Sequence, residues 1–170
     1  MYLETHRLVI REFQMEDAGD LQEILGDAET MKFSEPPYTP ERTARFLSEF
    51  CIGKQGALAA VRRESGQVIG YLLFHALEEG LYEMGWFFNR RFWRQGYAFE
   101  ACSALIEYAF RERRAYKIFA ETIDGLRSVR FMEKLGMWLE GVQRGQTKDC
   151  AGNWTDVYLY GLLREDWAAE

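Results

Sequence analysis

Apolar and polar positions along this chain fall into runs, alternations and helical stripes that assign most of it to elements. Arg7-Leu8-Val9-Ile10-Arg11-Glu12-Phe13 is a short run of apolar and β-branched residues and reads as a first strand. Asp17 to Leu25 reads as a helix, with Leu21, Ile24 and Leu25 at helical spacing. All three prolines lie in Glu35-Pro36-Pro37-Tyr38-Thr39-Pro40, a stiff loop in which Thr39 is an N-cap and Pro40 the first position of a helix running toward Phe50. Ala57 to Arg62 and Val68 to Leu77 read as two strands joined at Ser65-Gly66, and Leu81 to Phe88 as a fourth. From about Gln95 to Arg113 the apolar residues Ala98, Ala101, Cys102, Leu105, Ile106, Ala109 and Phe110 form one helical stripe. Tyr116 to Thr122 is a fifth strand, and Arg127 to Leu135 a short helix stopped by Gly136. Strands near Trp138 to Thr147 and Trp154 to Leu163, turning at Ala151-Gly152-Asn153, complete a pattern of about seven strands. The order predicts an α/β fold, a mixed central sheet with helices on both faces.

Composition narrows the class. A chain of 170 residues suits a single domain (1–170), and 48% hydrophobic with 28% charged residues is an ordinary globular balance. Met1 to Arg11 has no signal-peptide apolar region, and no apolar run is long enough to span a membrane. Three cysteines without CxxC spacing point to reduced thiols and a cytoplasmic location. Two distant histidines, His6 and His75, give no metal-site spacing, so no metal is expected. The net charge of −6 argues against nucleic acid as the main partner.

Three stretches carry candidate chemistry. Asn89 to Ala98 puts Arg90, Arg91 and Arg94 at a strand-to-helix junction, where unpaired N–H groups and a partial positive charge suit phosphates. Gly96 there permits close approach to the backbone. The competing reading is solvated arginines beside a glycine that only eases a turn. Neither a GxxxxGK[ST] nor a three-glycine dinucleotide turn is present. In the second stretch Ser128 shares a helix face with Phe131, Met132 and Leu135, so its hydroxyl faces a pocket, caps the helix or bonds back to it. In the third, Glu83 alternates onto the face of Leu81 and Phe87. It is there either a half-buried general base or an ordinary paired carboxylate.

Trp93-Arg94-Gln95-Gly96-Tyr97-Ala98-Phe99-Glu100-Ala101 resembles the acyl-CoA pyrophosphate loop of the GNAT N-acetyltransferase superfamily, in the branch of the RimJ/RimL ribosomal-protein N-acetyltransferases, where it reads W-G-x-G-Y-A-x-E-A. Leu3 to Arg11 resembles that branch's L-x-T-x-R-L-x-L-R strand, Ser128 to Gly136 its S-x-x-x-x-x-K-L-G helix, and Gly152 to Asp156 its G-x-W-x-D turn. Three positions depart from it. Arg94 stands for the first loop glycine, Met137 for a common phenylalanine, and Gly125 for an asparagine expected to hold the pantetheine arm; either coenzyme binding is weaker or Asp124 substitutes.

The resemblance implies the GNAT fold, opened in a V between the strands Leu81–Phe88 and Tyr116–Thr122, and acetyl-CoA as cosubstrate. It places the coenzyme against Trp86, Phe87, Phe88, Arg91, Trp93, Arg94, Gln95, Gly96, Tyr97, Ala98, Ser128 and Phe131. Ser128 is then the candidate acid toward the departing thiolate, and Glu83, directly or through water, the base. The acceptor is an amine, either a protein N-terminus or a small amine such as a polyamine or aminoglycoside; a non-catalytic CoA-binding domain is the rival. The chain is expected to be a monomer or homodimer. An α-amine of pKa about 8 is roughly one-tenth neutral at pH 7, whereas a lysine of pKa about 10.4 almost never is, which favours the α-amine where the base is weakly specified.

Overall fold

The computed structural model describes residues 1–167. Among these the chain forms eight strands, β1 (Tyr2–Glu4), β2 (Leu8–Glu12), β3 (Ala57–Arg62), β4 (Val68–Glu78), β5 (Leu81–Phe88), β6 (Lys117–Thr122), β7 (Trp138–Lys148) and β8 (Trp154–Leu163). The helices are α1 (Ala18–Leu25), α2 (Ala28–Met31), α3 (Pro40–Phe46), α4 (Tyr97–Arg111), α5 (Arg127–Lys134) and α6 (Arg164–Trp167). One sheet holds every strand in the order β1-β2-β3-β4-β5-β6-β8-β7. Every pairing is antiparallel except β5 with β6, which α4 joins as a crossover. None of the described helices is long and apolar enough to cross a membrane.

The sheet separates two cores. On one face Leu8, Ile10, Leu72 and Met84 pack against the α4 stripe, of which Ala101, Cys102, Leu105, Ala109 and Phe110 are wholly buried. On the other, Leu21 and Ile24 of α1 meet Leu47, Ala59, Val68 and Tyr71. The free thiols of Cys51 and Cys102 lie in these cores, and burial pushes the Cys51 thiol up to about 12, which keeps it protonated and unreactive.

The sequence predicts about seven strands, and the eighth is β1. Its three residues pair with Val9, Ile10 and Arg11 of β2, too short a run to announce itself by alternation. Two further differences have local causes. The helix expected from Pro40 to Phe50 keeps α-geometry only to Phe46, then widens into a π-helical stretch over Leu47–Ile52 that buries Leu47 and Cys51 together. Thr39 does cap its start, accepting from the Arg42 N–H at 3.3 Å, with Pro40 in the first turn. The helix expected from Gln95 begins at Tyr97, because Arg94 and Gly96 both take left-handed backbone, φ +59° and +83°.

Two segments more than ninety residues apart in sequence are locked together beside that helix start. Glu100 Oε1 accepts from the Thr5 hydroxyl at 2.6 Å and from the Arg7 N–H at 2.7 Å, while Oε2 accepts from Arg7 Nε at 2.6 Å. The Arg7 guanidinium also donates to the Gln95 carbonyl at 2.9 Å and lies over the Tyr97 ring at 4.2 Å. One arginine therefore ties β2 to the loop and to α4. Burial opposes the charge on Glu100, yet these hydrogen bonds and the Arg7 charge outweigh it and hold the carboxyl below its ordinary range. A folded pKa below the unfolded value means the stabilisation is present above about pH 4.3 and fades as pH falls through the folded value. Glu100→Gln is therefore expected to cost about 2 kcal/mol in denaturant unfolding at pH 7. The gap to the parent should narrow steadily on acidification below pH 4; a constant gap from pH 7 to pH 3 would show that the charge is not what holds the contact.

Candidate active site

The site begins where two strands part. β5 and β6 are paired only at Leu81–Lys117, Tyr82–Ile118 and Glu83–Phe119. Beyond these, Ala120, Glu121 and Thr122 continue along β8, and Met84 to Phe88 continue along β4 alone. A V-shaped opening is left with Glu83 at its apex. Its open end carries the loop before α4 on one bank and the start of α5 on the other.

Strand register shows which groups face this opening. Asn89 N–H donates to the Ile69 carbonyl at 2.9 Å, and these two residues continue the Gly70–Phe88 register. Glu83, Gly85 and Phe87 are therefore the residues bonded to β4, and the amides of Met84, Trp86 and Phe88 point the other way, into the opening. The Phe88 carbonyl is already taken by Trp93 Nε1 at 2.7 Å. What remains is the Phe88 N–H with both backbone groups of Trp86, a free edge suited to an extended amide chain. Phe87 differs from its neighbours, its amide facing β4 and its side chain the core opposite α4.

The loop at the open end is shaped by its two left-handed residues. A Cβ at Gly96 would stand 3.3 Å from an Arg7 guanidinium nitrogen, and at φ +83° any side chain is strained. Arg94 accepts the same backbone region with a side chain, which explains why glycine is the usual choice there. Arg94, Gln95 and Gly96 are exposed, Tyr97 is buried, and Ala98 is half-buried. Of the three arginines, Arg91 is paired with Glu23 and Arg90 with Asp27 at 3.3 Å. Arg94 enters no ion pair among the described residues, so it alone of the three is unengaged.

The opposite bank is set by Asp124, a buried carboxylate that sequence reasoning did not assign to this task. Its Oδ1 accepts from the N–H groups of Leu126 and Arg127 at 3.1 and 3.0 Å, and its Oδ2 from Ser128 N–H at 3.3 Å. Asp124 thus caps α5, and is committed to that role instead of standing free in the opening. Ser128, in the first turn, is half-buried, with only a 3.4 Å contact from Oγ to Asp124. One turn on, Phe131 meets Trp86 across the opening, ring centroids 4.9 Å apart. Gly125 is explained by its neighbour: a Cβ there would fall 2.8 Å from the Tyr158 hydroxyl, so Tyr158 fills the room a larger residue would need.

Glu83 is half-buried at the apex, on the face opposite α4. Desolvation first, then the charge of Glu121, raise its pKa against a smaller pull from His75. The structure thus brings Glu83, Trp86, Phe88, Trp93, Ser128, Phe131 and the 94–98 loop around one opening, and turns Phe87 and Arg91 away from it. Arg7, Glu100 and Tyr158 were missed, and Asp124, expected as the substitute for the asparagine, serves the start of α5 instead. The signal for the first two was present, since T-x-R and the loop glutamate stand in the motifs and prove to be bonded to each other.

A parted strand pair, a free amide edge and a glycine-shaped helix start suit an extended amide chain that leads to a phosphate. The comparisons agree. Residues 7–138 match the family model described as an acetyltransferase (GNAT) domain. The chain is 34% identical to the uncharacterized N-acetyltransferase YnaD of Bacillus subtilis (strain 168), across 98% of this chain and 99% of that one. It superposes on a GNAT-family acetyltransferase of Bacillus anthracis with TM-score 0.89 at 30% identity, covering 97% and 99% of the two chains. A RimL ribosomal-protein acetyltransferase in complex with coenzyme A shares the fold at TM-score 0.81 and 17% identity, with 96% and 98% covered. The chain belongs to the GNAT acetyltransferase family. It is an acetyl-CoA-dependent N-acetyltransferase.

Proposed function

We propose that this enzyme acetylates an α-amine, in the manner of the RimJ/RimL branch, by direct attack within the V-shaped opening. The observation that carries the reading is the parting of β5 from β6 immediately after Glu83, with the Gly96 loop at the open end. Acetyl-CoA supplies an activated acyl thioester, and the residues present fit it. The N–H groups from Arg94 to Ala98 hold the pyrophosphate, and Arg94 adds a cation to it. The Trp86 backbone and the Phe88 N–H hold the pantetheine amides, with Trp93 fixing the Phe88 carbonyl behind them. Phe131 and Trp86 close on the arm. Tyr158, seated against Gly125, offers its hydroxyl where the branch has an asparagine amide.

Glu83 takes the proton from the attacking amine, a role suited to a carboxylate whose pKa is raised toward the working range. Ser128 Oγ is the proton source on the thiolate side. Neither group has to be strong. A thiol of pKa about 8.5 is a fair leaving group, and an α-amine of pKa about 8 is partly neutral at pH 7. That balance separates α-amines from lysine side chains.

The test is acetyl-CoA consumption with a free-N-terminus peptide, the same peptide blocked at its N-terminus but carrying lysine, and spermidine. Turnover confined to the free N-terminus is expected. Equal rates with the blocked lysine peptide would refute the α-amine reading, and coenzyme binding without turnover of any amine would refute the enzyme reading.

A further inference from the structure

Next to the apex of the opening, on the face opposite α4, lies a cavity of about 240 Å³ that the proposed coenzyme site does not use. Its walls are Tyr38, Phe46, Phe50, Tyr71 and Phe87, and Gly85 of β5 forms part of its floor. These rings form one contacting group: Phe46 lies 5.6 Å from Tyr38, 5.1 Å from Phe50 and 5.7 Å from Tyr71, and Tyr71 lies 5.9 Å from Phe87. Gly85 is two residues from Glu83 on the same strand face, which puts the cavity floor about 7 Å along the strand from the proposed base.

The polar rim opposes a polycation. Glu35 is the carboxylate at the cavity, and it is already engaged, accepting from the Tyr38 hydroxyl at 3.1 Å and paired with Arg42. Arg42 lies over the Tyr38 ring at 3.7 Å, which places a cation beside that wall of the cavity. A second ammonium on the acceptor would meet that cation, and the carboxylate lining the cavity is already paired. An apolar group would instead replace water against five rings.

We propose that this cavity receives an apolar side chain, aromatic or branched aliphatic, on the carbon bearing the acceptor α-amine. The enzyme then selects amines by that side chain, and polyamines and aminoglycosides are excluded. This rests on the α-amine reading above. The size of the cavity suits one large side chain, and burying it favours the apolar acceptor by about 10- to 100-fold over glycine.

Gly85 gives a clean probe. A Cβ there makes ordinary contact with Leu73, at 3.4 Å, the backbone is not left-handed, and the amide is bonded to β4 and not to the coenzyme edge. Gly85→Val puts side-chain atoms into the floor from a backbone position open to β-branched residues. Binding of phenylalanine amide, glycine amide and lysine amide to the CoA-loaded protein is measured by calorimetry, and turnover of the same amides with acetyl-CoA separately. Phenylalanine amide is expected to bind at least 10-fold more tightly than the other two, and Gly85→Val should erase that preference while leaving the acetyl-CoA KM and glycine-amide turnover unchanged. Turnover with no preference for phenylalanine amide, or a preference that survives Gly85→Val, overturns the cavity assignment and leaves the α-amine reading standing. Preferential binding without turnover supports the cavity and overturns the enzyme reading.

Discussion

Replacing Gly96 by valine is expected to raise the KM for acetyl-CoA by about 30-fold or more while also lowering stability. The two effects have separate causes in the same residue. At φ +83° a β-branched side chain is strained by about 1 to 2 kcal/mol, and its Cβ meets the Arg7 guanidinium that ties the loop to β2. That part is read by denaturant unfolding without ligand. The coenzyme part comes from placing side-chain atoms among the N–H groups that receive the pyrophosphate, and a loss of about 2 kcal/mol corresponds to that rise in KM. Gly96→Ala separates them, because it brings most of the backbone strain with much less bulk, and should show the stability loss with a smaller change in KM. A valine variant that is destabilised but keeps its KM would place the pyrophosphate elsewhere.

The parts of this molecule that were legible in the sequence are those fixed by local spacing. The α4 stripe from Ala101 to Phe110 is buried as its periodicity demands, and the Thr39-Pro40 start of α3 is capped as written. What was not legible depends on register and on distant partners. Nothing in the spacing of Leu81 to Phe88 tells that its pairing with β6 ends at Glu83, because β6 is held along its whole length by β8 on its other edge and leaves β5 without any break in its own pattern. For the same reason the sequence could not say that Trp86 and Phe88 face the opening and Phe87 does not; a shift of one residue exchanges them.

The departures from the family motifs became intelligible only with their neighbours in place. Gly125 looks like a loss until Tyr158, thirty-three residues on in β8, is found occupying the space beside its turn. Arg94 looks like an obstruction until its backbone is seen in the left-handed region with its side chain exposed and in no ion pair among the described residues. Glu100 needs no neighbour to look polar, but its task is visible only once Thr5 and Arg7 close on it.

Ser128→Ala is expected to lower kcat by about 10²-fold with little change in stability, and the structure makes that pairing of outcomes decisive. Before the fold was known, a serine at the start of a helix could equally have been its cap, with alanine then costing about 1 kcal/mol. The cap is Asp124, which receives the Leu126, Arg127 and Ser128 amides. The Ser128 hydroxyl contributes only a 3.4 Å contact, and alanine suits a first-turn position at least as well. Its removal therefore leaves α5 intact. Stability loss belongs instead to Asp124→Ala, at about 1 to 2 kcal/mol, with activity falling because the whole helix start moves. If Ser128 Oγ supplies the proton to the departing thiolate, its loss falls on kcat within the usual range for general acid catalysis, and the KM for acetyl-CoA stays near its parent value. Single-turnover rates on the two variants, set beside their unfolding curves, distinguish the roles. A Ser128→Ala enzyme with unchanged turnover would leave the thiolate to be protonated by solvent, which a thiol of pKa about 8.5 permits.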